Sequence, residues 1–160
     1  MLFGGFVLSI CFLACQSQDK SSPKNLTIDS LETQKTDQMN TFISIFEIPA
    51  TEISRAIDFY QSILDINIEK MEFPGMQMGL FPYEGQMVTG VIVEAENDKP
   101  SSDGVTIYLN GGDDLQNILA KVEKNGGEII VPKSPHADES GYYAIFLDSE
   151  GNKMGLHSPN

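Results

Sequence analysis

Two residues that can carry acid–base chemistry stand near opposite ends of the part of the chain that has a folding pattern. Glu47 lies in the first strand-like segment, and His157 lies in the last one, "KMGLH". A carboxylate beside an imidazole can form an ion pair, act as a general base with the group that orients it, or supply two ligands to a metal ion. The ordinary interpretation makes His157 a surface or structural residue and leaves Glu47 in solvent or at a helix cap. The second histidine, His136, lies in the polar segment "KSPHADESGYY", where we expect a mobile, solvent-exposed side chain.

Several other chemistries are excluded by residue type and position. Both cysteines, Cys11 and Cys15, fall within the first fifteen residues, so the rest of the chain has no disulfide, thiolate zinc site or cysteine nucleophile. The sequence has no glycine-rich phosphate loop and no nucleophile elbow. The formal net charge of −13 argues against nucleic acid or an anionic membrane surface as a partner, although an ordinary solvated acidic surface also explains it.

The first fifteen residues, "MLFGGFVLSICFLAC", are apolar throughout. They are too short to span a bilayer comfortably as a helix and suit the core of a signal peptide. The ending "FLAC" resembles a bacterial lipobox, which implies a signal peptide over residues 1–14 and a lipid anchor at Cys15. We therefore expect a protein tethered to the bacterial cell envelope, periplasmic or at the surface. The alternatives are an ordinary buried N-terminal segment and, if the start is wrongly assigned, a cytoplasmic protein.

Residues 15–40 are polar and mixed in charge, and their apolar residues show no sustained period of 2 or 3.6. This composition predicts a flexible linker between the anchor and the folded part. The third region, residues 41–160, is predicted to be one folded domain.

The folded part repeats one order of elements. Alternating and β-branched segments predict strands, and apolar residues at i, i+3, i+4 and i+7 predict helices. The order is strand, helix and three strands, twice, which predicts an α+β fold of two βαβββ modules. Each helix covers one face of its sheet, so the curved sheets leave their other faces around a cup. Thr51 is the predicted N-cap of the first helix, and Asp65 its exit. The predicted elements are, in the first half, residues 42–49, 50–65, 66–73, 76–81 and 87–94, and in the second half, 105–110, 111–127, 128–133, 142–148 and 153–157.

Three strings carry a resemblance to a known family: "FEIPATEISRAIDFYQSIL", "LAKVEKNGGEIIVPK" and "FLDSEGNKMGLHS". In this order they resemble the vicinal-oxygen-chelate superfamily, which contains glyoxalase I, the bleomycin-resistance proteins and the extradiol dioxygenases. The resemblance covers nearly all of residues 41–158. It implies the glyoxalase-like fold and a possible homodimer. In the enzymes of the family it also implies a divalent metal ion held in the cup.

The ligand positions of that metal do not carry ligands here. Carried over from the family's motifs, they fall on Ile45, on Thr106 (with a shift of one residue allowed by Gly111-Gly112) and on Gly155. The register of the fourth position is ambiguous, and Glu94 is the only carboxylate available there. The resemblance therefore implies that no cofactor is bound in the usual way, and a divalent metal remains conceivable only at a displaced site.

Residues two apart on a strand share a face, so each ligand position identifies its neighbours in the cup. Ile45 shares its face with Glu47, and Gly155 with His157. Thr106 shares its face with Tyr108 and Asn110. The predicted ligand-binding residues are Glu47, Tyr108, Asn110 and His157.

Other apolar and aromatic residues have a structural interpretation. Phe46 and Tyr60 are expected in the core. Met76 and Met78 are expected to form either an adaptable pocket wall or ordinary core packing.

Three hypotheses for the function follow. The first is a membrane-tethered, glyoxalase-like protein that binds a small molecule in a cup without metal. The second is a metal-dependent lyase or dioxygenase whose displaced metal uses Glu47, His157 and a further ligand. The third is a non-catalytic lipoprotein that binds a partner. In each case the membrane is contacted only through the N-terminal lipid, and nucleic acid is not a partner.

Overall fold

The computed structural model describes residues 42–86 and 88–160. The predicted signal peptide, the lipid anchor at Cys15 and the linker over residues 15–40 lie outside the described residues. Across the two described ranges, we find no helix with both the length and the hydropathy to cross a membrane.

Within these ranges the predicted order of elements is present twice. A 3-10 turn, Glu123–Asn125, follows the second helix. The helices and strands are β1 (Ile45–Pro49), α1 (Ile53–Leu64), β2 (Glu69–Phe73), β3 (Met76–Leu80), β4 (Thr89–Ala95), β5 (Ile107–Asn110), α2 (Gln116–Val122), β6 (Glu128–Pro135), β7 (Tyr142–Leu147) and β8 (Lys153–Ser158).

The strands form two four-stranded mixed sheets with the same topology. The first sheet has the order β1-β4-β3-β2, and the second has the order β5-β8-β7-β6. In each sheet the first strand of the half pairs in parallel with the last, and the other neighbours are antiparallel. The predicted α+β fold of two βαβββ modules is confirmed. Each half therefore places its first and last strands side by side.

The predicted N-cap of α1 is wrong by one residue. Glu52 is the cap, because its carboxylate accepts hydrogen bonds from the backbone N–H groups of Ser54 (3.1 Å) and Arg55 (2.7 Å). A carboxylate at this position satisfies two free donors and also suits the positive end of the helix dipole. The predicted cap, Thr51, instead donates to Glu150 in the second half. The predicted end of the helix at Asp65 is confirmed: this residue is the C-cap, with φ of 54° in the left-handed region.

Four strands begin later than the sequence pattern predicts. The strand predicted over 42–49 begins at Ile45, the one over 66–73 at Glu69, the one over 87–94 at Thr89, and the one over 105–110 at Ile107. Thr106 therefore lies outside β5. At that end of the sheet the N–H group of Lys153 donates to the carbonyl of Ser101, 3.4 Å away in the connecting segment. At these strand starts the apolar pattern extends beyond the paired residues, so it places the first residue of the strand too early.

An aromatic chain runs through the core from one half to the other. Ring centroids are 5.7 Å apart for Phe46 and Phe81, 5.7 Å for Phe81 and Tyr60, and 5.1 Å for Tyr60 and Phe59. Phe59 of α1 then meets Phe146 of β7 at 6.2 Å. Tyr60 is fully buried and Phe46 packs against the core, as predicted. Helices α1 and α2 also contact each other, so both helices lie at the junction of the halves.

The turn between β7 and β8 joins the second half to the start of α1 through a buried aspartate. Asp148 accepts a hydrogen bond from the Tyr60 hydroxyl at 2.7 Å. It also accepts from the backbone N–H groups of Glu150 (2.8 Å) and Asn152 (2.9 Å) within its own turn. The Asn152 amide donates to Asp148 (2.9 Å) and to the Pro49 carbonyl at the end of β1 (2.8 Å). Burial, followed by the neighbouring Asp148 carboxylate, raises the pKa of Tyr60 well above its ordinary value.

Glu150, in the same turn, holds the N-terminal end of α1. Its carboxylate accepts from the Thr51 N–H (2.8 Å), the Thr51 hydroxyl (2.8 Å), the Glu52 N–H (3.1 Å) and the Arg55 Nε (2.7 Å). The Glu150 side chain is 0% exposed, whereas that of Arg55 is 52% exposed. Burial raises the pKa of Glu150, but the hydrogen bonds from Arg55, Thr51 and Glu52 outweigh it, and the net pKa is lowered.

Replacing Tyr60 with Phe leaves the Asp148 carboxylate without its tyrosine donor. We expect the free energy of unfolding to fall by about 1.5–3 kcal/mol, the range for a hydrogen bond to a carboxylate in a buried setting. Urea unfolding of the full chain measures the change. The matched control is Tyr83→Phe at a tyrosine that is 58% exposed. Equal unfolding free energies for Tyr60→Phe and the wild type would contradict this role.

We call the hydrogen bonds from the β7–β8 turn to the end of β1 and to α1 the clamp, and replacing Glu150 with Gln tests its pH dependence. A carboxyl group whose pKa is lowered on folding stabilises the protein fully above its unfolded pKa of about 4.3 and loses that contribution as the pH falls through the folded value. The difference in unfolding free energy between wild type and Glu150→Gln should thus be largest near about pH 6 and shrink below about pH 4. Glu84→Gln, at an exposed position, is the control. A difference that stays constant with pH would contradict the assignment.

Candidate functional site

Three of the four predicted ligand-binding residues lie together on one face of the second sheet. In the parallel register of β5 and β8, Tyr108 pairs with Gly155 and Asn110 pairs with His157. Directly paired residues project to the same side of a sheet, so these four share a face. The alternate residues of β5 and β8, Leu109 and Leu156 among them, are buried in the core on the other side. We call the side with Tyr108 and His157 the open face of the second sheet; Tyr143 and Ile145 of β7 extend it.

Tyr108 lies directly over Gly155. A Cβ atom built on Gly155 would be 2.5 Å from Tyr108 Cδ1, closer than side chains approach in proteins. The ring nevertheless remains 48% exposed, because its outer surface has no covering layer. The tyrosine ring thus occupies the space into which a longer side chain at residue 155 would extend.

The four positions implied by the resemblance do not fit a metal ion. Ile45 is an aliphatic side chain that is 56% exposed on β1, and Thr106 lies outside β5. Gly155 is covered by an aromatic ring. The Glu94 carboxylate is engaged elsewhere, since it accepts from the Ile53 N–H at the start of α1 (2.7 Å). Over residues 42–86 and 88–160, no group of three or more His, Cys, Asp or Glu side chains is arranged to hold a metal ion.

Glu47 lies on the other sheet. It is exposed on β1, where it pairs with Val91 of β4, and its side chain projects away from α1. No hydrogen bond or ion pair joins Glu47 to His157 among the described residues. The polar neighbour of His157 is instead the Ser140 carbonyl, 3.3 Å from Nε2. The structure therefore brings Tyr108, Asn110 and His157 together and leaves Glu47 apart from them.

Sequence reasoning missed the neighbour of His157, which is the other histidine. The ring centroids of His136 and His157 are 5.3 Å apart, and His136 lies 4.9 Å from the ring of Tyr143. The prediction of a solvent-exposed His136 is wrong: the residue is half-buried. Strand β6 continues to Pro135, two residues further than predicted, and the His136 N–H closes the following loop on the Gly141 carbonyl (2.9 Å). The sequence signal for this contact was the pair of adjacent tyrosines in "GYY". Because they alternate faces on the next strand, one of them, Tyr143, lies beside His136.

A separate cavity of about 690 Å³ lies at the end of the first sheet. It contains Met76, one of the two predicted pocket methionines, and the helix-capping Glu94, but none of the four predicted ligand-binding residues. Its charged members are mostly acidic. The lining residues are Ala50, Thr51, Glu72, Phe73, Gly75, Met76, Gln77, Glu94, Ala95, Glu96, Asp98 and Lys99.

Comparison with solved structures shows the same fold in proteins of distant sequence. A mutant of glyoxalase I from maize (Zea mays) superposes with a TM-score of 0.59 at 17% identity, covering 72% of this chain and 46% of the maize chain. The chain thus spans less than half of the maize protein. TnmS3, an antibiotic binding protein from Streptomyces, gives a TM-score of 0.57 at 20% identity and covers 75% of this chain and 97% of its own.

Sequence comparison agrees with the fold. A glyoxylase-like domain-containing protein of Didymella fabae is 29% identical over 120 residues, which cover 71% of this chain and 91% of that relative. Residues 42–156 match the family model described as the glyoxalase/bleomycin resistance protein/dioxygenase superfamily. The chain therefore belongs to the glyoxalase/bleomycin resistance protein/dioxygenase superfamily.

Proposed function

We propose that this glyoxalase-like protein, tethered to a membrane through a lipid on Cys15, binds a small organic molecule without using a metal ion at the family's position. The ligand lies on the open face of the second sheet, against Tyr108, Asn110 and His157. The observation that carries the proposal is the Tyr108 ring over Gly155. An aromatic surface stands there in place of a metal ligand.

The chemistry of this face suits a planar, partly apolar molecule that carries polar groups. The exposed Tyr108 ring offers an aromatic surface on which such a molecule can stack. The Asn110 side-chain oxygen accepts from the Gly112 N–H (2.9 Å), which leaves the amide NH2 group as a donor for the ligand. A small number of fixed polar groups beside an apolar surface is the usual composition of a small-molecule site.

The predicted ligand-binding residue Glu47 lies on the exposed face of the first sheet. Its face also bears apolar residues, among them Ile45, which is 56% exposed. In a homodimer, this face of one copy can lie opposite the open face of the second sheet of the other copy. The proposal therefore includes a homodimer. Glu47 then contacts the polar end of the ligand.

The comparisons support a binding role in one respect. TnmS3, which shares the fold, is described as an antibiotic binding protein. A binding protein on this fold therefore has a precedent, and the identity of the ligand does not follow from it. The lyase or dioxygenase alternative needs a displaced metal ion held by Glu47, His157 and a further ligand, and Glu47 and His157 lie on different sheets.

The first test compares two tyrosines. We expect a thermal-shift screen of small planar aromatic compounds to find stabilisers of the wild type, since a ligand at 100 times its Kd adds about 2.7 kcal/mol to apparent stability. Tyr108→Ala should abolish that shift, because the stacking surface is gone. Tyr83→Ala should retain it, because Tyr83 is similarly exposed at 58% and lies outside the open face.

Three outcomes would overturn the proposal. A stabiliser that works equally well on Tyr108→Ala would place the site elsewhere. Near one equivalent of a transition metal in protein purified without chelator, together with lyase or dioxygenase turnover lost on Glu47→Gln, would favour the enzyme alternative. The absence of any stabiliser would favour the partner-binding lipoprotein.

A double-mutant cycle tests the position of the Tyr108 ring. Gly155→Ala adds a Cβ that collides with this ring, whereas alanine is otherwise preferred to glycine within a strand by roughly 0.5–1 kcal/mol. The substitution should therefore be more favourable in the Tyr108→Ala background than in the wild type, with a coupling of about 0.5–3 kcal/mol in urea unfolding. Additive effects would show that the ring does not lie over residue 155.

A further inference from the structure

Both histidines of the chain meet at one end of the open face, although 20 residues separate them in the sequence. His136 follows β6, and His157 is the fifth residue of β8. Their ring planes are inclined by 51°, and their centroids are 5.3 Å apart. The rings are thus close without being stacked.

This separation matches two imidazoles that share one metal ion. An imidazole nitrogen binds zinc at about 2.0–2.1 Å, which places the ring centroid about 3.2 Å from the ion and two centroids about 5.2 Å apart at a tetrahedral angle. The observed centroid separation of 5.3 Å is close to that value.

The surroundings of His157 resemble those of a metal-binding histidine. Its Nε2 lies 3.3 Å from the Ser140 carbonyl, which can only accept a hydrogen bond. This contact favours the tautomer with the proton on Nε2, which places the lone pair on Nδ1. Histidines that bind metals usually donate their other ring N–H to a backbone carbonyl or carboxylate in this way, which sets the tautomer and the ring orientation.

The β6–β7 loop, which contains His136, is held in place by its own hydrogen bonds. The His136 N–H donates to the Gly141 carbonyl (2.9 Å), and the Glu139 N–H donates to the His136 carbonyl (3.2 Å). Asp138 accepts from the Ser140 N–H (3.1 Å) and places a negative charge near His136.

We infer that His136 and His157 form a binding site for a divalent transition-metal ion, separate from the family's metal position. The family position on β8 falls on Gly155, under the Tyr108 ring, whereas His157 lies two residues further along β8, against the Ser140 carbonyl of the β6–β7 loop that contains His136. Two imidazoles suit Zn²⁺, Ni²⁺ or Cu²⁺ rather than Mg²⁺ or Ca²⁺. The remaining coordination positions face solvent and are filled by water or by oxygen atoms of a bound molecule.

The test uses Zn²⁺ alone and needs no organic ligand, so its outcome is independent of the proposed function. The full chain carries Cys11→Ser and Cys15→Ser in every sample and no histidine tag, since thiols and tags bind zinc. Titration calorimetry at mildly basic pH should give one Zn²⁺ per chain. His136→Gln and His157→Gln should each weaken binding by at least about tenfold. Glu139→Gln, in the same loop, should bind like the parent.

Spectroscopy separates metal binding from a structural effect of the substitutions. Because the chain has only two histidines, a spectrum of labelled imidazole carbons contains two sets of signals. Both sets should shift together on addition of one equivalent of Zn²⁺. Thermal unfolding without metal checks that each variant is folded. Binding that survives in folded His136→Gln and His157→Gln, or two sets of signals unmoved by saturating Zn²⁺, would overturn the inference and leave an aromatic contact between the rings.

Discussion

The hydrogen bonds between the β7–β8 turn and the start of α1 are the constraint on which the arrangement of the two halves depends. Asp148 lies at the end of one half and binds the Tyr60 hydroxyl of the other, while Glu150 accepts from the first backbone groups before α1. A buried carboxylate is costly unless donors surround it. The first half supplies the Tyr60 hydroxyl to Asp148 and the Thr51 and Glu52 N–H groups to Glu150, so the second half folded alone would leave both acids without these donors. The clamp thus links the two modules into one cooperative unit.

The β7–β8 turn also determines which residues lie on the open face of the second sheet. It ends β7 and starts β8, so it sets which residues of β8 face the helix and which face outward. Met154 and Leu156 are buried in the core, while Gly155 and His157 lie on the open face. A shift of one residue would reverse this pattern. The parallel pairing of β5 with β8 then places Tyr108 on Gly155 and Asn110 beside His157. The hydrogen-bonded acids of the turn and the residues that the strand places on the open face are therefore consequences of one register.

In each half an aromatic ring covers a strand glycine, on the core side of the first sheet and on the open side of the second sheet. In the first sheet the Phe46 ring covers Gly90, where an added Cβ would lie 2.2 Å from the ring, and it continues into the buried aromatic chain. In the second sheet the Tyr108 ring covers Gly155 on the open side. An aromatic residue over a strand glycine restores the apolar contact that the glycine lacks. In the first half this contact supports the core. In the second half it removes the space for a ligand to a metal ion and leaves an aromatic surface in its place.

The order of elements and their repeat followed from the sequence, because periodicities of 2 and 3.6 depend on local geometry alone. The common face of Tyr108, Asn110 and His157 also followed, since alternation along a strand needs only one reference residue in each strand. Strand ends, the helix cap at Glu52 and the placement of Glu94 did not follow, because each depends on a partner distant in the sequence. The proximity of His136 to His157 likewise required the hairpin loop and the register of β6 on β7. The local sequence pattern thus determined which residues could share a surface. The tertiary structure alone decided which of them are in contact, because contacts across strands depend on the register between segments that are distant in the sequence.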